Sequence, residues 1–225
     1  MHIEPGIVTG AKLALSGVTA LAAFGLSAKA SLNMIKKDGF MQLISRSTMT
    51  TLLVLFFFQV LPHHPVGVSE VHLILGSTLF LIFGAAPASI GLFSGLLIQG
   101  LFFAPFDLPQ YGMNVTTLLV PLFGMTAIAR RNIPENTAYV DVSYKQALAM
   151  SVTYQSGIVA WVAFWAFYGV GFTADNAASV FTFGVAYMSV VLLEPVLDLA
   201  ILATAKHWDR FKDSGLFEAR LYRAE

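Results

Sequence analysis

The sequence predicts an all-α membrane protein, a polytopic bundle of about seven transmembrane helices. Of its 225 residues, 56% are hydrophobic and only 12% are charged, and the mean hydropathy is +0.72. A soluble globule needs more polar surface, so this composition excludes that class of protein. Because a helix crosses the hydrocarbon core in about 20 apolar residues, a chain of this length accommodates roughly six to eight crossings with short loops.

Seven apolar runs mark the predicted crossings. In chain order they cover residues 7–28, 47–61, 71–86, 89–104, 115–129, 146–172 and 177–205. The third to fifth runs are short and rich in glycine, and the pair Gly91 and Gly95 has the spacing that lets two helix backbones approach closely. We expect one substrate-binding membrane domain over residues 1–205 and a basic cytoplasmic tail over residues 206–225.

The connections between the runs differ in charge, and this difference predicts the orientation. Lysine and arginine gather after the first and fifth runs and in the tail, which places these segments in the cytoplasm and the N-terminus outside. Of the 13 basic residues, Lys12 alone then faces outward. The outward segments carry acidic side chains that attract cations, and these are Glu4, Glu70, Asp107 and Asp175.

The start of the chain offers nitrogen ligands for a metal ion. No basic region or small-residue cleavage pattern precedes the first apolar run, so we expect Met1 to be retained with a free amine. Together with the amide nitrogen and imidazole Nδ1 of His2, this amine closes two adjacent chelate rings in one plane. Divalent nickel and copper accept planar nitrogen sets, and cobalt can also. The chain has no cysteine, which excludes thiolate ligands.

A fourth nitrogen is available from the HHPVGVSEVH segment, which contains His63 and His64 and ends at His72 in the start of the third run. His72 is predicted to begin an apolar helix at membrane depth, where a polar side chain usually has a partner or a function. We therefore assign His72 as the fourth ligand. His63 and His64 lie beside prolines at the membrane boundary and are expected to be solvated, with accessory metal capture as their functional alternative.

Taken together, these residues resemble the cobalt/nickel substrate-binding membrane subunits of energy-coupling factor (ECF) transporters, the CbiM/NikM type. Besides the Met-His start, the similarity rests on Ser69 to His72 leading into a glycine-bearing helix, on LLIQGLFF with Gln99, and on GMNVTTLLVP with Asn114. It extends from residue 1 to about residue 205. The resemblance implies that Met1, His2 and His72 hold the metal.

Two further side chains, Ser69 and Asn114, match polar positions that would orient the ligands in such a site, a support that metal sites generally need. Capping of the helices that follow Ser69 and Asn114 explains them equally well. The resemblance also implies Co²⁺ or Ni²⁺ as the transported substrate, with cobalt for cobalamin synthesis favoured, and no organic cofactor.

The resemblance implies a multi-pass protein of the bacterial inner membrane that works in a complex. Its partners would be a transmembrane coupling (T) subunit, cytoplasmic ATPase subunits and often a small accessory membrane subunit, with no nucleic acid. The sequence contains no phosphate-binding GxxxxGK[ST] loop, so ATP hydrolysis is expected on the partners and this chain is not expected to be an enzyme.

A second class of protein remains open, an intramembrane zinc metallohydrolase. His63, His64 and His72 would then bind zinc and Glu70 would act as general base. The spacing of these residues does not match the helical HExxH pattern of such enzymes.

A third class is a proton-coupled solute carrier that uses Glu194 and Asp198. Their spacing of four residues puts both carboxylates on one face of the last helix. Because acids inside a membrane are often functional, an exit path or a proton relay is their functional alternative. We expect these carboxylates instead to pair with a lysine or arginine of the cytoplasmic side, or to dock against a coupling subunit.

Overall fold

The computed structural model describes residues 3–224, except for the side chain of Asp209, and consists mainly of helices. A β-hairpin interrupts the helices between α2 and α3. The elements are α1 (Leu13–Asp38), α2 (Phe40–Gln59), β1 (His63–Val66), β2 (Ser69–His72), α3 (Gly76–Phe83), α4 (Ala85–Phe102), α5 (Tyr111–Asn132), α6 (Tyr144–Val170), α7 (Ala174–Met188) and α8 (Glu194–Lys206).

Six helical segments among the described residues are long and apolar enough to span a membrane, which confirms the prediction of a polytopic helical membrane protein. They cover residues 10–38, 40–59, 85–102, 105–132, 144–170 and 174–206. The last of them is interrupted by a 3-10 turn at Ser189–Leu192. Helix α8 restarts beyond this turn with Pro195 in its first turn, where the missing N–H of proline costs no helical hydrogen bond.

The third predicted crossing is not a full-length helix. Helix α3 has only eight residues and is therefore about 12 Å long, and the non-helical residues 73–75 separate it from β2. Every residue of α3 except Ile82 is buried. Other helices surround α3, so its irregular flanks are buried in protein, where non-helical backbone is tolerated at membrane depth.

At its C-terminal end, α3 contacts the last segment of the chain, residues 213–222. The chain turns at Gly84 with φ of 88°, and a side chain there would collide with the Glu218 carboxylate. The backbone N–H of Glu218 donates to the Ile82 carbonyl at 2.8 Å, and Arg220 donates to the Ile133 carbonyl at 3.0 Å. The C-terminal segment thus folds back onto the basic end of the bundle.

The β-hairpin lies at the opposite, acidic end. Its antiparallel register pairs His63 with His72 and Val66 with Ser69. The turn residue Gly67 has φ of 61°, and a Cβ at this position would lie 2.2 Å from the Ser179 carbonyl oxygen. Only glycine therefore allows the hairpin to sit so closely on α7.

Lys12 is the basic residue predicted to face outward, and its contacts explain its place at the acidic end. Its Nζ donates to the carbonyls of Tyr168 and Gly169, both at 2.9 Å. These carbonyls belong to the last turn of α6, where the helix leaves carbonyl groups without helical partners and where a cation is favourable.

Helices α2 and α4 pack closely through the predicted glycine pair. A Cβ at Gly91 would lie 2.5 Å from Thr50 Cβ, and one at Gly95 would lie 2.6 Å from Val54 Cγ1. The Thr50 hydroxyl also donates to the Pro87 carbonyl at 2.7 Å. The interpretation of Gly91 and Gly95 as a helix-packing motif is therefore confirmed.

We expect Gly91→Ala to destabilise the protein by about 1–3 kcal/mol, because the added methyl group has no space against Thr50. The measurement is thermal unfolding in detergent. The matched control is Gly124→Ala on α5, where a Cβ meets nothing within 4 Å and alanine should be neutral or slightly stabilising. Equal unfolding temperatures for the two variants would contradict close packing at Gly91.

Candidate metal site

Ile3 is held firmly at the acidic end of the bundle. It forms an antiparallel bridge with Ser69, its backbone N–H donates to Asn114 Oδ1 at 2.9 Å, and its side chain is fully buried. The next residue continues the pairing, because the Glu4 N–H donates to the Val68 carbonyl at 3.2 Å. The chain immediately after His2 is thus fixed beside β2 and the start of α5.

These contacts correct one interpretation of Ser69 and Asn114. Ser69 lies in β2 and Asn114 lies in the first turns of α5, whose first residue is Tyr111, so neither residue caps a helix. Both are buried and both contact Ile3, Ser69 through the backbone bridge and Asn114 through its amide oxygen.

His72 is the last residue of β2 and does not begin a helix, because α3 starts only at Gly76. The predicted burial is confirmed, since only 1% of His72 is exposed. Its Nε2 lies 2.9 Å from the Glu70 carboxylate. The Phe58 ring stands edge-on to the imidazole, with 5.3 Å between ring centroids. A carboxylate and an aromatic ring therefore fix the orientation of the His72 side chain.

The sequence predicts Glu70 as an outward carboxylate and, alternatively, as the general base of a hydrolase, and it does not predict the contact with His72. Glu70 and His72 are two residues apart, and side chains with this spacing share one face of a β-strand. The signal was present in the spacing but required knowing that the segment is a strand.

The other two histidines of the loop lie in different surroundings. The His63 ring stacks on His72 with 4.9 Å between centroids and 9° between planes, as their cross-strand pairing allows. His64 pairs with Val71 and is exposed. The structure thus brings His63, but not His64, to the imidazole of His72.

Met1 and His2, the first predicted ligands, lie outside the described residues. Within residues 3–224, the structure contains no group of three or more histidine or acidic side chains arranged to hold a metal ion. A zinc site built from His63, His64 and His72 therefore has no counterpart in the described part of the chain.

Two of the predicted outward carboxylates, Glu70 and Asp107, lie within electrostatic range of a third, Glu4, which follows Ile3. Burial raises the pKa of the Glu4 carboxyl, and repulsion from the Glu70 and Asp107 carboxylates raises it further. Glu4 therefore loses its charge at a higher pH than an isolated glutamate. Above that pH these carboxylates form a negative surface that attracts cations.

The prediction that Glu194 and Asp198 pair with a basic side chain or dock against a partner is wrong. Both carboxylates are completely buried, so neither can form a docking surface. Among the described residues their hydrogen-bond partners are hydroxyl and amide groups of α3 and α6.

Residues 2–209 match the family described as "CbiM: Cobalt uptake substrate-specific transmembrane region". The chain belongs to the CbiM family. It is thus a multi-pass membrane protein and the substrate-specific part of a metal uptake system. This membership favours neither the metallohydrolase nor the proton-coupled carrier. No significant match is found among curated protein sequences.

Two crystal structures share the fold. One is described as a transition metal transporter, with a TM-score of 0.71 and 18% identity over 95% of this chain and 99% of that chain. The other is a truncated transition metal transporter, with a TM-score of 0.64 and 16% identity over 93% of this chain and 98% of that chain.

We expect Asn114→Leu to weaken Co²⁺ binding by about 10–100-fold, because the Ile3 N–H loses its acceptor and the chain beside the site is no longer fixed. The measurement is calorimetric titration of the purified protein with Co²⁺. The matched control is Thr117→Val on the same helix, where the hydroxyl donates only to the Met113 carbonyl within α5. Equal affinities of the two variants would show that the Asn114 contact does not support binding.

Proposed function

We propose that this chain is the substrate-specific (S) component of an ECF-type transporter and captures Co²⁺, with Ni²⁺ as the close alternative. The amine of Met1, the amide and imidazole nitrogens of His2, and the imidazole of His72 hold the ion. The observation that carries this proposal is the burial of Ile3 between Ser69 and Asn114.

The length of the chain before Ile3 supports the ligand set. Ile3 pairs with Ser69, and His72 lies three residues further along the same strand, a distance of about 10 Å. Two residues extend by at most about 7 Å, and the imidazole side chains add to this reach. Met1 and His2 are therefore within range of an ion bound at His72.

Glu70 supports the choice of ligand atom. A carboxylate accepts a hydrogen bond, so the His72 nitrogen that faces Glu70, Nε2, carries the proton. Nδ1 is then the unprotonated nitrogen that binds metal, and the carboxylate increases its basicity. Glu70 is in this view a positioning residue for His72. The negative charges of Glu70, Glu4 and Asp107 would also attract the ion from outside.

The proposal includes partners that supply energy. The sequence lacks a phosphate-binding loop, so a coupling T subunit and cytoplasmic ATPases, often with a small accessory membrane subunit, would drive the release of metal inward. We place the basic end, with residues 206–225, in the cytoplasm, where these partners bind. Cobalt is favoured by the family description, whereas planar nitrogen coordination suits nickel somewhat better.

One extra residue before Met1 should abolish tight Co²⁺ binding, because the terminal amine would become an amide and leave the chelate. We expect a loss of more than about 100-fold in affinity, on the scale of removing a direct metal ligand, with unchanged thermal stability of the metal-free protein. The control carries the same extra residue after Glu225. Mass spectrometry establishes the N-terminus of each protein. Tight binding by the extended protein would refute the chelate.

Metal affinity should fall steeply with acidity, because the amine, amide and imidazole nitrogens bind only when deprotonated. Between about pH 7.5 and about pH 5.5 we expect a decrease of at least about a thousandfold, given ordinary amine and imidazole pKa values. Burial and the neighbouring carboxylates raise the pKa of Glu4, so on acidification this carboxylate loses its charge earlier than an isolated glutamate, which acts in the same direction. Titration in this range checks the slope, and a constant affinity would contradict the nitrogen ligand set.

A further inference from the structure

The membrane interior contains a second polar cluster, formed around Glu194 and Asp198 of α8. Glu194 accepts hydrogen bonds from the Ser151 hydroxyl at 2.5 Å and from the Gln155 amide at 2.7 Å. Asp198 accepts from the Ser77 hydroxyl at 2.7 Å and from the Thr78 hydroxyl. Two carboxylates of one helix thus face α3 and α6.

No described lysine, arginine or histidine side chain pairs with either carboxylate. Both side chains are completely buried, and ionised carboxylates in a low-dielectric interior repel one another and strongly favour a bound cation. The four donor groups nevertheless favour the ionised form, because hydrogen bonds to a carboxylate stabilise its charge. No described side chain supplies a positive charge here, so either a proton or a bound cation must balance the charge of these two carboxylates.

A second observation points to a ligand. Four buried oxygen atoms in and around the cluster form no hydrogen bond with the described residues, namely Glu194 Oε1, Gln155 Oε1 and the hydroxyls of Tyr154 and Tyr187. Both phenol groups lie within electrostatic range of Glu194. Buried polar atoms are rarely left without partners, and a group of unpaired oxygen atoms beside carboxylates has the composition of a cation site.

The cluster lies between the two ends of the bundle, along α3. Ser77 and Thr78 are in the first turn of α3, only five and six residues after His72. The Tyr154 ring packs against Gly76, where a Cβ would lie 2.4 Å from the ring. The last turn of α3 borders a cavity of about 410 Å³ that Arg130, Glu135 and Glu218 also line. Helix α3 therefore links His72, the carboxylates and the basic end.

We propose that Glu194 and Asp198, with the oxygens of Gln155, Tyr154 and Tyr187, form a second site for the transported divalent ion, occupied during its passage to the cytoplasm. The identity of the cargo rests on the proposed function. Oxygen ligands hold Co²⁺ and Ni²⁺ more weakly than nitrogen ligands do. Weak binding suits a transit site, because the ion must leave again.

The test uses the full chain with one extra residue before Met1, which removes the terminal chelate. Mn²⁺, which accepts oxygen ligands, is titrated and its free concentration is read by electron paramagnetic resonance. We expect weak binding that Glu194→Gln or Asp198→Asn reduces by at least about tenfold, the effect expected for changes in metal coordination. The matched control is Glu218→Gln, a partly buried carboxylate that pairs with Arg46 at the basic end and should not alter this binding.

Tyr187→Phe separates a ligand from a structural role. It removes a hydroxyl that makes no hydrogen bond with the described residues, so the fold should be unaffected while the residual Mn²⁺ affinity falls severalfold. Absence of Mn²⁺ binding to the extended protein would overturn the proposal. Glu194 and Asp198 would then be protonated carboxyl groups without a metal. Equal Mn²⁺ affinity in the extended protein and in all carboxylate and tyrosine variants would overturn it as well.

A second measurement uses the natural N-terminus and the assembled transporter. Glu194→Gln should slow uptake of radioactive cobalt while leaving the tight Co²⁺ affinity unchanged. Wild-type uptake rates in this variant would overturn the proposal. Failure of the terminal chelate would give a different result. The extended protein would then bind Co²⁺ tightly, whichever residue occupies position 194.

Discussion

The backbone N–H of Ile3 is a buried hydrogen-bond donor, and leaving such a group without an acceptor costs about 1–3 kcal/mol. Asn114 Oδ1 supplies that acceptor, while the bridge to Ser69 and the buried Ile3 side chain hold the strand in place. A chain terminus is ordinarily among the least ordered parts of a protein. The proposed site depends on this constraint, because ligands at residues 1 and 2 can be positioned only if residue 3 is fixed.

The hairpin connects the N-terminal segment at Ile3 to the rest of the bundle. Ser69 contacts Ile3 at one end of β2, His72 lies at its other end, and Glu70 holds the imidazole from between them. The chain then enters the buried helix α3 directly. Any movement of α3 would thus be transmitted to His72 through a short non-helical segment, which would connect the proposed metal site to the membrane interior.

The two ends of the molecule have different chemistry. Glu4, Glu70 and Asp107 lie close enough together to shift the pKa of Glu4, while Arg46 and Arg220 at the other end bind carbonyl groups and the C-terminal segment. Between these ends, the buried carboxylates of α8 accept hydrogen bonds from α3 and α6. Charged and amide groups of the described residues therefore lie at both ends of the bundle and in its interior.

The sequence by itself determined the class of protein, the approximate crossings, the close packing at Gly91 and the buried position of His72. These properties depend on hydrophobic length and on residue size, which are local quantities. Only the tertiary structure showed that α3 is short, that Asn114 contacts Ile3, that Glu70 contacts His72, and that Glu194 and Asp198 face hydroxyl groups. The contacts of Asn114, Glu194 and Asp198 join residues far apart in the sequence and depend on how the helices pack. The contact between Glu70 and His72 follows from their spacing only once the segment is known to be a strand.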